Sequence, residues 1–163
     1  MKKEFVPKSF CVPESLERDT FCLQILSPTV AVMDYKAVMS SKIRLRSIFS
    51  DRTEWPKDTM SFEDNRRDLE RHEKDFKLRK AFAYTILSPT REQCIGCVYI
   101  DPCKITEFDC EVYLWVSDDS HVLDNDLYSK IRRWLEQYWP FKKIAFPGRE
   151  ISWKKWKAYV EKQ

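Results

Sequence analysis

Ala81-Phe82-Ala83-Tyr84-Thr85-Ile86-Leu87, Cys94-Ile95-Gly96-Cys97-Val98-Tyr99-Ile100-Asp101 and Cys110-Glu111-Val112-Tyr113-Leu114-Trp115-Val116-Ser117 are three successive β-type runs. Short connections join them, so neighbours are expected to pair antiparallel. A helix is predicted over residues 123–138, with Leu127, Ile131, Trp134, Leu135 and Tyr138 on one face. Lys143-Ile144-Ala145-Phe146 then returns as a strand and Pro147-Gly148 closes it. A strand–helix–strand crossover is right-handed, which sets the third run and the returning strand parallel. Glu111 to Val116 is apolar on both faces, as suits a central strand covered on each side.

The remaining elements extend this unit in both directions. Residues 20–26 form a first strand, ended by Ser27-Pro28, and Thr29 is placed to cap a helix over residues 30–49. Residues 51–60 form a loop holding Trp55-Pro56. Ser61-Phe62-Glu63-Asp64 resembles a capping box, with Asp in the Glu place, and opens a helix running to about residue 80. Ser152 caps a short C-terminal helix with Trp153, Trp156, Tyr159 and Val160. The order is β-α-α-β-β-β-α-β-α. The expected class is α/β (α+β): a mixed, mostly antiparallel central sheet with helices on both faces. Residues 1–19 read as an extended lead-in and residues 20–163 as a single domain.

The totals narrow the function classes. With 29 basic and 26 acidic residues interspersed, the net charge of +3 implies no nucleic-acid partner. No apolar run reaches the ~20 residues of a bilayer span. Met1-Lys2-Lys3 opens a basic N-terminus without an apolar stretch of signal-peptide length, so a cytoplasmic location is expected. The six cysteines are then reduced thiols. Only Gly96 and Gly148 are glycines, which excludes a glycine-rich phosphate loop.

The strand pair Gly96-Cys97-Val98-Tyr99-Ile100 and Glu111-Val112-Tyr113-Leu114-Trp115-Val116, with the following helix and Lys143-Ile144-Ala145-Phe146, resembles the GNAT superfamily of acyl-CoA-dependent N-acetyltransferases. The resemblance covers residues 20–163. It implies that the strand of Trp115 splays from the strand of Phe146, that acetyl-CoA is the co-substrate and that an amine is the acceptor. It further implies that Leu114, Trp115 and Val116 pair with the pantetheine arm. The pyrophosphate would then sit on the turn at Ser117, Ser120, His121, Val122 and Leu123, because a helix N-terminus offers free N–H donors. Glu111 would act as base and Tyr159 as acid, with His72 and Tyr84 at the acceptor. The turn departs from the family pattern: Asp118 and Asp119 replace a basic residue and glycines, and Asp124 and Asp126 add charge. Those carboxylates repel a diphosphate, so weakened acyl-CoA binding is expected.

Cys94 and Cys97 have a zinc-ligand spacing, but residues three apart on a regular strand point to opposite faces, so no metal is expected. The alternative to an enzyme is a non-catalytic ligand-binding or protein-interaction module on the same fold. A monomer and a homodimer are both compatible with the sequence.

Overall fold

The computed structural model describes residues 4–163; Met1-Lys2-Lys3, the start of the basic N-terminus, lie outside the described residues. Six strands form one sheet in the order β1-β2-β3-β4-β5-β6. They are β1 (Ser15–Glu17), β2 (Cys22–Ile25), β3 (Phe82–Leu87), β4 (Cys94–Pro102), β5 (Cys110–Val116) and β6 (Ile144–Ala145). Neighbours pair antiparallel except β5 and β6, which are parallel as the crossover rule requires. The helices are α1 (Ala31–Ser40), α2 (Lys42–Leu45), α3 (Phe62–Lys77), α4 (Asp124–Tyr138) and α5 (Trp153–Glu161).

The lead-in contributes the edge strand β1, and Val6 is buried in the core. The expected helix over residues 30–49 breaks at Ser41, between α1 and α2. Its start differs too: Ser27, not Thr29, caps a 3-10 turn at Pro28–Val30. The capping box of α3 forms in full, with Ser61 Oγ accepting from Asp64 N at 3.1 Å and Ser61 N donating to Asp64 Oδ2 at 3.0 Å.

Strand alternation sorts the core into two layers. Phe82, Tyr84 and Ile86 of β3 join Val112, Leu114 and Val116 of β5 against α4, whose Leu127, Ile131, Trp134 and Leu135 are buried. Tyr138, expected on that face, is the last residue of the helix and is 61% exposed. Ala83, Leu87, Tyr99, Tyr113 and Trp115 face the other layer, formed by α1, α2 and Leu69 of α3. Burying this much aromatic and branched side chain, at roughly 1.5–3 kcal/mol for each, is what holds the sheet between its helices.

One irregularity resets the alternation. On β3, Ile86 and Leu87 are consecutive, but their β4 partners are Gly96 and Cys94. Ile95 is therefore the extra residue of a β-bulge. Gly96 is required at this point, since a Cβ there would lie 2.0 Å from the Trp115 carbonyl oxygen.

Candidate active site

β5 and β6 stay together for only two residue pairs, Cys110 with Ile144 and Glu111 with Ala145. β6 then ends, while β5 continues to Val116. Past the parting lies a cavity of about 280 Å³, walled by Val112 to Val116, by Arg44 and Leu45 of α2, and by Gly148 and Arg149. Gly148 turns the chain away with φ of 81°, a conformation that glycine adopts without strain.

Two arginines reach the free edge of β5. Arg44 Nη1 donates to the Val116 carbonyl at 3.3 Å and to Asp118 Oδ1 at 2.8 Å. Arg149 Nη2 donates to the Leu114 carbonyl at 3.2 Å. The same guanidinium grips Asp124 through two bonds, of 2.7 and 2.6 Å. Burial works to raise the Asp124 carboxyl, but the Arg149 bonds and charge outweigh it and hold the group below the usual carboxylate range. Asp126 is paired with Lys130 at 2.7 Å. Three of the four acids counted against a diphosphate are thus balanced by cations. Sequence reasoning missed this because Arg44 and Arg149 are 74 and 25 residues from their partners.

The turn itself is a 3-10 helix, Asp118–Leu123, running directly into α4. Asp118 N donates to Ser41 Oγ at 2.9 Å, and Ser120 N to the Ser117 carbonyl at 3.0 Å. Ser117 is buried, His121 and Val122 are exposed, and Leu123 packs on the core. Leu114, Trp115 and Val116 line the cleft.

A second cavity, of about 440 Å³, lies between α1, α3 and the sheet. Asp34, His72, Tyr99 and Asp101 line it. Phe49 stands between the two cavities, its ring 5.3 Å from Tyr99 and 5.2 Å from Tyr113. Trp115 Nε1 donates to the Tyr99 hydroxyl at 2.9 Å and ties the two walls together. His72 is held neutral: burial and then the Arg71 charge lower its pKa to about 4. Asp101 is raised to about 6, by burial first and by the facing Glu111 second. Glu111 is its register partner on β5, and accepts from the Tyr113 hydroxyl at 3.1 Å.

Glu111 lines neither cavity itself but contacts Tyr113 of the first and faces Asp101 of the second, and two other expected site residues lie elsewhere. Tyr84 sits on the opposite face of the sheet, fully buried, with its hydroxyl donating to the Pro13 carbonyl at 2.6 Å. An even-numbered residue of β3 faces α4, so it cannot reach the second cavity. Tyr159 lines neither cavity; its ring packs on Phe108 and Trp156, at 5.6 and 6.4 Å. Asp101 was missed by the sequence reading, although an acid at the end of a strand opposite Glu111 is the pattern that could have revealed it.

A central sheet whose one parallel pair parts beside a crossover helix is the GNAT-type N-acyltransferase fold. Solved structures bear this out. The chain is similar to a ribosomal-protein-S5-alanine acetyltransferase from Vibrio fischeri, with a TM-score of 0.64 and 14% identity, over 91% of this chain and 80% of that one. It also resembles the microcin C7 self-immunity acetyltransferase MccE in complex with acetyl-CoA and AMP, with a TM-score of 0.55 and 18% identity, over 76% and 67% of the two chains. A third neighbour is RimL, a ribosomal L7/L12 alpha-N-protein acetyltransferase in complex with coenzyme A, with a TM-score of 0.55 and 13% identity, over 74% and 66%. No protein-family model and no curated protein matches the sequence. Among the described residues no helix is long and apolar enough to cross a membrane.

Proposed function

We propose that the protein is an N-acyltransferase that passes an acyl group from acyl-CoA to an amine. The observation that carries this reading is the parting of β5 from β6 after Glu111 and Ala145, with a cavity at the parting. The cavity suits the pantetheine arm. Its volume is at the lower end of small-ligand pockets, the Leu114 and Val116 carbonyls lie along its edge, and Arg44 and Arg149 bring two guanidinium groups to it. When bound, acyl-CoA supplies an acyl group activated as a thioester.

The acceptor enters the second cavity. An amine attacks only after losing a proton, and Asp101 with Glu111 is the carboxylate pair that takes it. A carboxyl with a pKa of about 6 is largely ionised at pH 7.5 yet basic enough to accept a proton. Neutral His72 adds no positive charge to repel an ammonium group. Tyr113 lines the cleft with its proton held well above the normal phenol range by burial and by Glu111, and replaces Tyr159 as the hydroxyl beside the reacting centre.

RimL is named for acting on an alpha-amino group of a protein and the Vibrio fischeri neighbour on a ribosomal-protein alanine. Peptides with free N-termini are therefore the first acceptor class to test. Thiol release from acetyl-CoA, followed with such peptides and with small amines, is expected to show acceptor-dependent turnover. Turnover absent with every amine, in protein that binds acetyl-CoA, would remove the transferase reading.

A further inference from the structure

The bulge at Ile95 brings together three groups that a regular strand would keep apart. It turns Cys94 and Cys97 to the same face of β4, both into the layer beneath α1. Asp34 of α1 enters that layer from above. Its carboxylate oxygen and the two sulfurs all lie within 4.8 Å of one another, and all three residues are buried. This corrects the expectation that Cys94 and Cys97 point to opposite faces of the strand and could not share one metal ion.

From this geometry we infer that Asp34, Cys94 and Cys97 form a binding site for a thiolate-preferring divalent cation, zinc above all. Zinc–sulfur and zinc–oxygen bonds of ~2.3 and ~2.0 Å at a tetrahedral angle set the sulfur–oxygen edge at about 3.5 Å. Cys97 Sγ lies 3.4 Å from Asp34 Oδ1. The second carboxylate oxygen accepts from Asn65 Nδ2 at 2.7 Å, the kind of outer contact that aims a metal-binding carboxylate. No Lys, Arg or His forms an ion pair with Asp34 among the described residues, although it is only 3% exposed. A buried carboxylate without a counter-charge is costly, and a cation removes the cost.

Two sulfur ligands select against magnesium and calcium, which take oxygen. Asp34 and Asn65 line the second cavity, which provides a route for the ion and a water for the fourth position. Burial keeps the Cys97 thiol protonated in the free protein. Each metal–sulfur bond forms as a thiol gives up its proton to solvent, so binding should tighten as pH rises. Asp34, Cys94 and Cys97 have no part in the acyl transfer proposed above, although Asp34 also lines the cavity given to the acceptor.

Cobalt titration of the full chain, stripped with chelator and kept reduced, tests the proposal by absorption. One equivalent is expected to produce a thiolate-to-cobalt charge-transfer band that zinc then displaces. Cys97→Ser and Cys94→Ser are expected to lose the band. Asn65→Ser should keep it but weaken cobalt binding roughly 10- to 100-fold. The double variant Cys11→Ser/Cys103→Ser leaves the three groups intact and should match the parent, which assigns the band to buried cysteines rather than to these two outer thiols. The proposal is overturned if the parent shows no band, or if the band vanishes in that double variant. Either result leaves Asp34, Asn65 and Cys97 as a hydrogen-bonded core network.

Discussion

Asp118→Asn should strengthen acetyl-CoA binding. Asp118 holds Arg44 at 2.8 Å, and the two side chains are 45% and 38% exposed. A pair this exposed contributes at most about 1 kcal/mol to stability, so the variant should melt within a few degrees of the parent. The substitution removes one negative charge from the turn and frees a guanidinium at the cleft edge. For charges about 6 Å apart, one unit interaction ranges from ~0.7 kcal/mol in a water-like medium to ~3 kcal/mol at the dielectric of a protein surface. The dissociation constant should accordingly fall between about 3- and 100-fold in low-salt calorimetry. The gain should shrink at 0.5 M salt, where screening reaches only a few ångströms. Asp126→Asn, whose partner Lys130 lies one turn along α4, serves as the control and should change affinity less. Unchanged or weaker binding in Asp118→Asn at low salt would refute the reasoning. The Arg44–Asp118 pair would then shape the site rather than compete with the ligand.

Asp101→Asn is expected to lower kcat about 10²- to 10⁴-fold, the usual contribution of a positioned base. In the parent, kcat/KM should fall as pH drops through about 6, and the variant should lose that limb. Tyr159→Phe should leave turnover unchanged, because the ring packs on Phe108 outside both cavities. His72 titrates at about 4 in the folded chain against an ordinary 6.5, so between those values the unfolded state binds the extra proton. Its contribution to stability is present above pH 6.5 and is lost as pH falls towards 4. The difference in denaturant-unfolding free energy between the parent and His72→Gln should therefore shrink over that window.

Much of the fold was legible because its signals are local. Short runs of aromatic, β-branched and other apolar residues marked β3, β4 and β5, Ser61 and Asp64 marked the start of α3, and the crossover rule set β5 parallel to β6. What escaped was long-range or irregular. The bulge at Ile95 depends on how β3 and β4 come into register, and the isolated Gly96 inside the strand is its one local sign. The acidic turn read as hostile to phosphate because its neutralising partners, Arg44 and Arg149, come from α2 and from the loop after β6. Tyr84 was set at the acceptor without regard to its parity on β3, which turns it towards α4. Leu114, Trp115 and Val116 line the cavity beside the parting of β5 from β6.

The account stands on a slot between β5 and β6 that takes the thioester arm. Calorimetric titration of the full chain with acetyl-CoA at low salt addresses that slot directly. One site with micromolar affinity, weakened as salt rises, is the predicted result. Heat no greater than dilution up to millimolar acetyl-CoA, in protein shown to be folded, would contradict it.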